Sequence, residues 1–256
     1  MTNAEMKAGE ANAKLRVATY NVHGCVGMDR QRSESRIADV IASLSADIVG
    51  LQELDQNRAR SAAVDQAGLI AKQLGWHHYF HPAMRRAEEL YGDAILSRYP
   101  IAVRNAVELP GSPPWYCRET RGVTWAEAET PLGRVHIINS HFGLGRRERI
   151  QQAQLLTSAE WLGSVPADAP VILLGDFNSV PWSPAYKIIE AKLRDVRRLL
   201  ASSLAFRTYP TALTALAVDN IFVTAAFKPT GMHVHRDATA RVASDHFPLV
   251  ADLVRA

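Results

Sequence analysis

Leu15-Arg-Val-Ala-Thr-Tyr-Asn21 is a largely apolar run that closes on a polar amide, with Gly24 and Gly27 punctuating the segment behind it. That pattern predicts a buried strand followed by a loop. Working outward, Ser33 to Leu44 carries Ile37, Val40, Ile41 and Leu44 at helical spacing, so an amphipathic helix follows. Asp47-Ile-Val-Gly-Leu-Gln-Glu53 is then a second strand, closing on a carboxylate. The same order recurs downstream. Arg134-Val-His-Ile-Ile-Asn-Ser-His141 reads as a strand, Arg146 to Leu162 as a helix free of Pro with Gly163 as its C′ residue, and Val171-Ile-Leu-Leu-Gly-Asp176 as a strand. Two copies of one strand–helix–strand unit, each strand closed by a polar residue, predict an α/β fold. It is a four-layer α/β/β/α sandwich, with two mixed β-sheets packed face to face, helices outside and strand ends converging at one edge.

The rest of the chain fits that plan. Ser61 to Leu74 reads as a helix. Strands are expected near Trp76–Phe80, Gly92–Ser97, Ile101–Leu109, Gly122–Glu129, Val218–Val223 and Pro248–Leu253, and Pro184–Leu200 is at least partly helical. No Pro/Ser-rich linker divides the chain, so residues 15–256 read as one domain behind a disordered tail, residues 1–14. Across 256 residues, 47% are apolar and 21% charged, which excludes a disordered or collagen-like chain. Cys25 and Cys117 are too few for a disulfide framework or a four-ligand zinc site, and read as reduced thiols. No signal peptide or transmembrane segment is visible, so a cytoplasmic monomer is expected. The net charge of +3 fits an anionic substrate without requiring one.

A core strand that ends in Asn, Glu, His or Asp places a polar group where it must be solvated, paired or bound. Here such groups accumulate: Asn21, Glu53, His141, Asp176 with Asn178, Asp219, and Asp245 with His246. Carboxylate and amide oxygens are hard ligands that suit Mg²⁺ or Mn²⁺ rather than zinc or an iron–sulfur cluster. Histidines add donors for phosphate oxygens and proton transfer. Together these describe phosphate-ester hydrolysis, in which a metal stabilises phosphoryl charge and a carboxylate orients or deprotonates water.

The segments Tyr20-Asn21-Val-His-Gly, Leu51-Gln-Glu53, Asn139-Ser-His141, Leu174-Gly-Asp176-Phe-Asn178, Asp219-Asn-Ile-Phe-Val and Ser244-Asp245-His246-Phe-Pro strongly resemble the endonuclease/exonuclease/phosphatase (DNase-like) superfamily. The likeness runs in order from about Leu15 to Leu253. It implies the four-layer sandwich and a Mg²⁺- or Mn²⁺-dependent phosphodiesterase. It also implies roles by position. Glu53 is the main metal carboxylate with Asn21 beside it, and Asp245 is a further carboxylate at the metal or its water. Asp176 orients or activates the water, Asn178 partners it on the phosphate, and His246 and His141 face the phosphate. Asp219 fixes the His246 tautomer, and Arg121 is the phosphate-binding arginine. Whether Asp176 or His246 is the base stays open.

The substrate is expected to be a phosphate ester, a nucleic acid or a phospholipid head group. Asp176-Phe-Asn178 continues as Ser-Val-Pro-Trp and the later segment is Val218-Asp-Asn-Ile, which disfavours the inositol-phosphatase members. Tyr20-Asn21-Val-His-Gly disfavours the abasic-site endonucleases. A phosphomonoesterase, or a catalytically silent nucleic-acid-binding member of the same fold, is the alternative. Weaker signals have plain readings. Gly143-Leu-Gly145 fails the dinucleotide fingerprint at Glu148. Arg146, Arg147 and Arg149 read as a solvated basic face, His77, His78 and His81 as a strand and its exit, and His233 and His235 as one strand face without a third ligand. Pro113-Pro-Trp115-Tyr116 is a rigid aromatic loop, either locally packed or a lip of the site.

Overall fold

The computed structural model describes residues 13–111, 114–115, 117–166, 168–200 and 206–256. Most of the expected tail, with Pro113 and Tyr116 of the aromatic loop, lies outside the described residues. Among those described, twelve strands form two six-stranded sheets.

In the first sheet, β1 (Leu15–Asn21) runs parallel to β2 (Ile48–Gln56). The hairpin β3 (His77–Arg86) and β4 (Glu89–Ser97) joins β2 through β4, antiparallel. In the second sheet, β5 (Ile101–Glu108), β6 (Gly122–Thr130) and β7 (Gly133–His141) form a meander, and β7 runs parallel to β8 (Val171–Asp176). Short β9 (Arg194–Asp195) and β10 (Asp219–Val223) complete it, with β10 antiparallel to β8. The chain then returns to the first sheet as β11 (Phe227–Val234) and β12 (Leu249–Arg255), β12 lying antiparallel beside β1. Sheet order is β11-β12-β1-β2-β4-β3 in one and β5-β6-β7-β8-β10-β9 in the other. Each sheet therefore centres on one parallel pair flanked by antiparallel neighbours, the duplicated plan expected from the strand endings.

Helices cover the outer faces. Ile37, Val40 and Ile41 of α1 (Glu34–Ser43) and Ile70 of α2 (Gln66–Leu74) pack on Ala18, Tyr20, Val49 and Leu51. Ala153 and Leu156 of α3 (Arg146–Leu156) and Tyr186 and Ile189 of α4 (Pro184–Glu190) pack on Ile138, Leu173 and Phe222. The alternate positions, Leu15, Val17, Ile48 and Ile95 against Ile137, Ile172, Leu174 and Ile221, form the layer between the sheets. This is the α/β/β/α sandwich.

Local chemistry moves several expected boundaries. The helix read from Ser61 starts only at Gln66, because the Asp65 carboxylate caps Gly68 N at 2.9 Å and Ala62 and Ala63 have left-handed backbone. The helix read to Leu162 stops at Leu156. There Thr157 Oγ1 bonds back to Ala153 O at 2.9 Å, and the chain turns so that Trp161 stacks on Trp125 at 5.7 Å. Pro184–Leu200 divides into α4, β9 and α5 (Val196–Leu199). Strand β11 interrupts its own pattern with Pro229 and a register shift at Gly231, which hid it from a period-two reading. No helix of the described residues is long and apolar enough to cross a membrane.

Buried polar groups tie the sheets together near their shared edge. Gln52 Nε2 donates to Asn139 Oδ1 at 2.7 Å, and Asn139 Nδ2 donates to Leu51 O at 3.0 Å and Ala94 O at 2.9 Å. Asn139 is on the second sheet, and the other three residues are on the first. Gly50 leaves the room, since a Cβ there would lie 2.6 Å from Asn139 Oδ1. Asn139→Ala strands two carbonyls and one amide in the core, so it is expected to cost about 2–3 kcal/mol in urea unfolding. A loss near zero would show that water replaces the amide.

Candidate functional site

Glu53 owes its position to a bulge. Alternation along β2 would turn it with Val49 and Leu51 towards the helices. Instead the register with β4 slips between Leu51 and Leu54, and Glu53 adopts φ +65°. That left-handed conformation costs a non-glycine residue about 1–2 kcal/mol, and bulges of this kind re-aim side chains beside functional sites. Asp93 on β4 fixes the bulge by accepting from Glu53 N at 3.3 Å. Asn21, ending β1, then spans the gap between the sheets: its Nδ2 donates to Glu53 Oε1 at 3.0 Å and to Asp176 Oδ2 at 3.1 Å. Its Oδ1 accepts from His23 N at 3.1 Å.

The second sheet supplies the other wall. His141 and Asp176 end neighbouring parallel strands in register. Asp219 begins β10 rather than ending a strand. Because β10 is antiparallel to β8, its first residue pairs with Asp176 and joins the same edge. Asn178 closes the turn beyond β8 at φ +45°, with its N–H on Asp176 Oδ1 at 2.9 Å and its amide donating to Phe142 O at 2.9 Å. Asp245 and His246 reach the edge from the segment before β12, where Ser244 Oγ donates to Asn21 O at 2.8 Å.

Two imidazoles converge on Asp176. His141 Nε2 lies 3.6 Å and His246 Nε2 3.7 Å from Asp176 Oδ2. Each ring is held from behind. His246 Nδ1 meets Asp219 Oδ2 at 2.9 Å, Thr208 Oγ1 donates to the same oxygen, and Tyr209 packs on the ring at 4.6 Å between centroids. His141 Nδ1 lies 3.2 Å from Arg121 Nη1. A guanidinium only donates, so His141 Nδ1 accepts from Arg121, while Nε2, turned towards Asp176, also lies 3.2 Å from the Asn178 amide nitrogen. Arg121 is 5% exposed, and its other terminal nitrogen meets Glu119 at 3.0 Å. The expected phosphate-binding arginine is thus placed behind His141, against its Nδ1.

The environments drive these groups apart. Burial pushes the Asp176 carboxyl up to about 6, with Asp219 adding to it. Burial opposes charge on His246, but Asp219 and Asp176 outweigh it and raise the imidazole to about 10. Burial and the Arg121 charge hold His141 well below the ordinary histidine value, hence neutral. Burial raises Asp93 to about 8. Burial would also raise Glu53, yet contact with His23, the Asn21 donor and Arg121 hold it below the usual carboxylate range.

The partly open carboxylates of the edge are the groups that could hold a divalent cation. Glu53 and Asp245 converge with side-chain exposures of 21% and 25%, and between them stands the His23 imidazole, its Nδ1 3.5 Å and 3.7 Å from their oxygens. Its pKa is raised by the Glu53 contact, so the spot favours positive charge. Asn21 Oδ1 keeps a second lone pair there. Asp176, Asp219 and His246 also have ligand atoms within 4.8 Å of one another. That trio is almost closed to solvent, and its shortest contact is already a hydrogen bond, so a cation would have to displace the bonded proton. His23 and Asp93 had no assigned role in the sequence reading. Asp93 was detectable as the one acid in the Gly92–Ser97 stretch, and His23 as a polar residue within Tyr20-Asn21-Val-His-Gly.

The converging carboxylates and imidazoles stand at one edge of a four-layer α/β/β/α sandwich. The Endonuclease/Exonuclease/phosphatase family profile matches residues 18–246, and the chain belongs to that family. An uncharacterized protein, YbhP of Escherichia coli (strain K12), is 30% identical over 254 residues, covering 93% of this chain and 96% of that protein. Among solved structures, an endonuclease/exonuclease/phosphatase from Beutenbergia cavernae superposes with TM-score 0.75 at 24% identity, over 95% of this chain and 72% of that one. The mannosyl-6-phosphatase Bt3783 of Bacteroides thetaiotaomicron gives TM-score 0.74 at 22% identity, over 94% and 99%.

Asp219→Asn removes the charge that raises His246 and mis-sets its tautomer. Turnover is expected to fall about 10²–10⁴-fold, the His246 pKa to drop by NMR titration, and metal affinity to change little. Collapse of metal affinity would instead make Asp219 a ligand.

Proposed function

We propose that the protein is a divalent-metal-dependent phosphoesterase that hydrolyses phosphodiester bonds by attack of water, with Mg²⁺ or Mn²⁺ as its ion. The observation that carries the reading is the meeting of His141 Nε2 and His246 Nε2 on one Asp176 oxygen, beside the Glu53–Asp245 pair. The protonated His246 ring, the His141 ring and a carboxylate frame a space suited to a phosphate oxygen and a water.

Glu53 and Asp245, with Asn21 alongside, would hold the ion, which would supply charge stabilisation at the phosphoryl oxygens. Asp176 is the general base, since a carboxyl near 6 is ionised at neutral pH and basic enough to take a proton from water. His246 is the cation: held protonated by Asp219, it offers its Nε2 proton to the phosphate and cannot also be the base. His141, held neutral by burial and Arg121, lines the same space, and Asn178, anchored to Phe142 O, keeps Asp176 oriented through its backbone N–H. Nucleic acid and phospholipid head groups are the substrate classes considered, and every position of the set holds a competent residue, which favours this over a silent binding protein.

With Mg²⁺ or Mn²⁺ the protein is expected to hydrolyse bis-p-nitrophenyl phosphate. Because Asp176 must lose its proton and His246 must keep one, kcat/KM should rise as pH passes about 6 and fall near 10. Glu53→Gln should first weaken metal binding by calorimetry, with lost activity as the consequence. Absence of turnover with either metal would refute the reading.

A further inference from the structure

Beside Glu53 a cavity of about 270 Å³ runs away from the catalytic edge. That is below the range of roughly 300–1,000 Å³ typical of pockets for drug-sized ligands, so its occupant is small. Its wall includes His23, Arg32, Asp55, Arg60, Tyr91 and Glu119, and none of these except His23 has a part in the chemistry above.

The wall is electrically mixed and held rigid. Arg60 Nε and Nη2 each donate to Asp55 at 2.8 Å, Arg58 adds a bond to the same carboxylate at 3.1 Å, and Arg32 Nε meets Glu34 at 3.1 Å. These contacts fix the guanidinium forks and leave Arg60 Nη1 and both terminal nitrogens of Arg32 for a ligand. Glu119, 40% exposed along its side chain, contributes an acceptor. A second phosphate accepts only, so Glu119 and Asp55 would repel it. A nucleobase needs an open aromatic face, but the guanidiniums of Arg58 and Arg60 each lie 5.4 Å from the Tyr91 ring centre. An acyl chain would leave fixed donors and acceptors unpaired. A hydroxyl both donates and accepts, which suits a wall alternating Arg and Glu.

We propose that this cavity binds the alcohol part of the substrate, and that this alcohol is a small polyhydroxylated group, a sugar or polyol. The inference rests on the phosphoesterase reading and narrows it: the site selects phosphate esters by the hydroxyls of what is esterified.

The test compares esters that differ only in hydroxyls: glucose 6-phosphate with cyclohexylmethyl phosphate, and the methyl diester of each, all with Mg²⁺ and with bis-p-nitrophenyl phosphate as the reference. The hydroxylated member of the hydrolysed pair is expected to have kcat/KM about 10²-fold higher or more, as for sites built around substrate hydroxyls. Arg32→Met and Arg60→Lys, the latter keeping a charge beside buried Asp55, should each shrink that ratio about ten-fold. Turnover without a preference, or a preference that neither variant alters, overturns the proposal while sparing the phosphoesterase reading. If no ester is turned over, bis-p-nitrophenyl phosphate included, that reading fails, and the cavity is judged by titration calorimetry of glucose 6-phosphate. Saturable binding that Arg32→Met weakens upholds the hydroxyl site, and its absence overturns it.

Discussion

The amide of Asn139 is the contact on which the arrangement of the site depends. It crosses from the second sheet to satisfy Leu51 O and Ala94 O, the last regular pair before β2 bulges, and takes a hydrogen bond from Gln52 in return. All three groups are shut away from water, so an unmade bond would carry the full desolvation cost. The interaction therefore fixes the spacing of the sheets where the first carries Glu53 and the second carries His141 and Asp176. Asn21 repeats the device one layer further out, donating to a carboxylate on each sheet. Two amides thus clamp two independent sheets into one edge, and neither spends a charge to do so.

That clamp makes the electrostatics possible. Asp176, Asp219 and His246 are buried together, and three such groups can coexist only if their protons are shared out. Asp219 has one imidazole and one hydroxyl on a single oxygen, leaving its other oxygen buried without a partner. The result is a fixed anion behind a cationic ring. On the other side a fixed cation, Arg121, stands behind a neutral ring. Two histidines facing one carboxylate thus differ in charge because of what holds each from the rear.

The sequence already carried the plan of this edge but not its directions. Polar endings of Asn21, His141 and Asp176 follow from alternation, since each continues the inter-sheet face of its strand. Glu53 does not: parity sends it to the helices, and only the bulge with φ +65° brings it round. Asp219 looked like a strand ending and is a strand beginning, which the antiparallel pairing of β10 with β8 makes equivalent in space. Arg121 could be recognised as a basic residue near the site, but not as lying behind His141, because that depends on how β6 and β7 stack side by side. Asp93 and His23 escaped because their partners are distant in sequence and come together only through the bulge and the loop after β1.

The overall charge of +3 hid how uneven the molecule is. Glu53, Asp176, Asp219 and Asp245 gather at one edge, and the positive groups that answer them are unequal. His246 is tied to Asp219 and faces Asp176, and Arg121 stands behind His141. Among the described residues, His23 is the cationic group at the opening between Glu53 and Asp245, 51% exposed along its side chain and tied there by its backbone N–H to Asn21. An imidazole at that point can give up its place without unfolding anything, since its ring has solvent beside it. The ion proposed above would replace a weak organic cation with a harder one there, and would let the proposed anionic ester approach four carboxylates that otherwise turn it away.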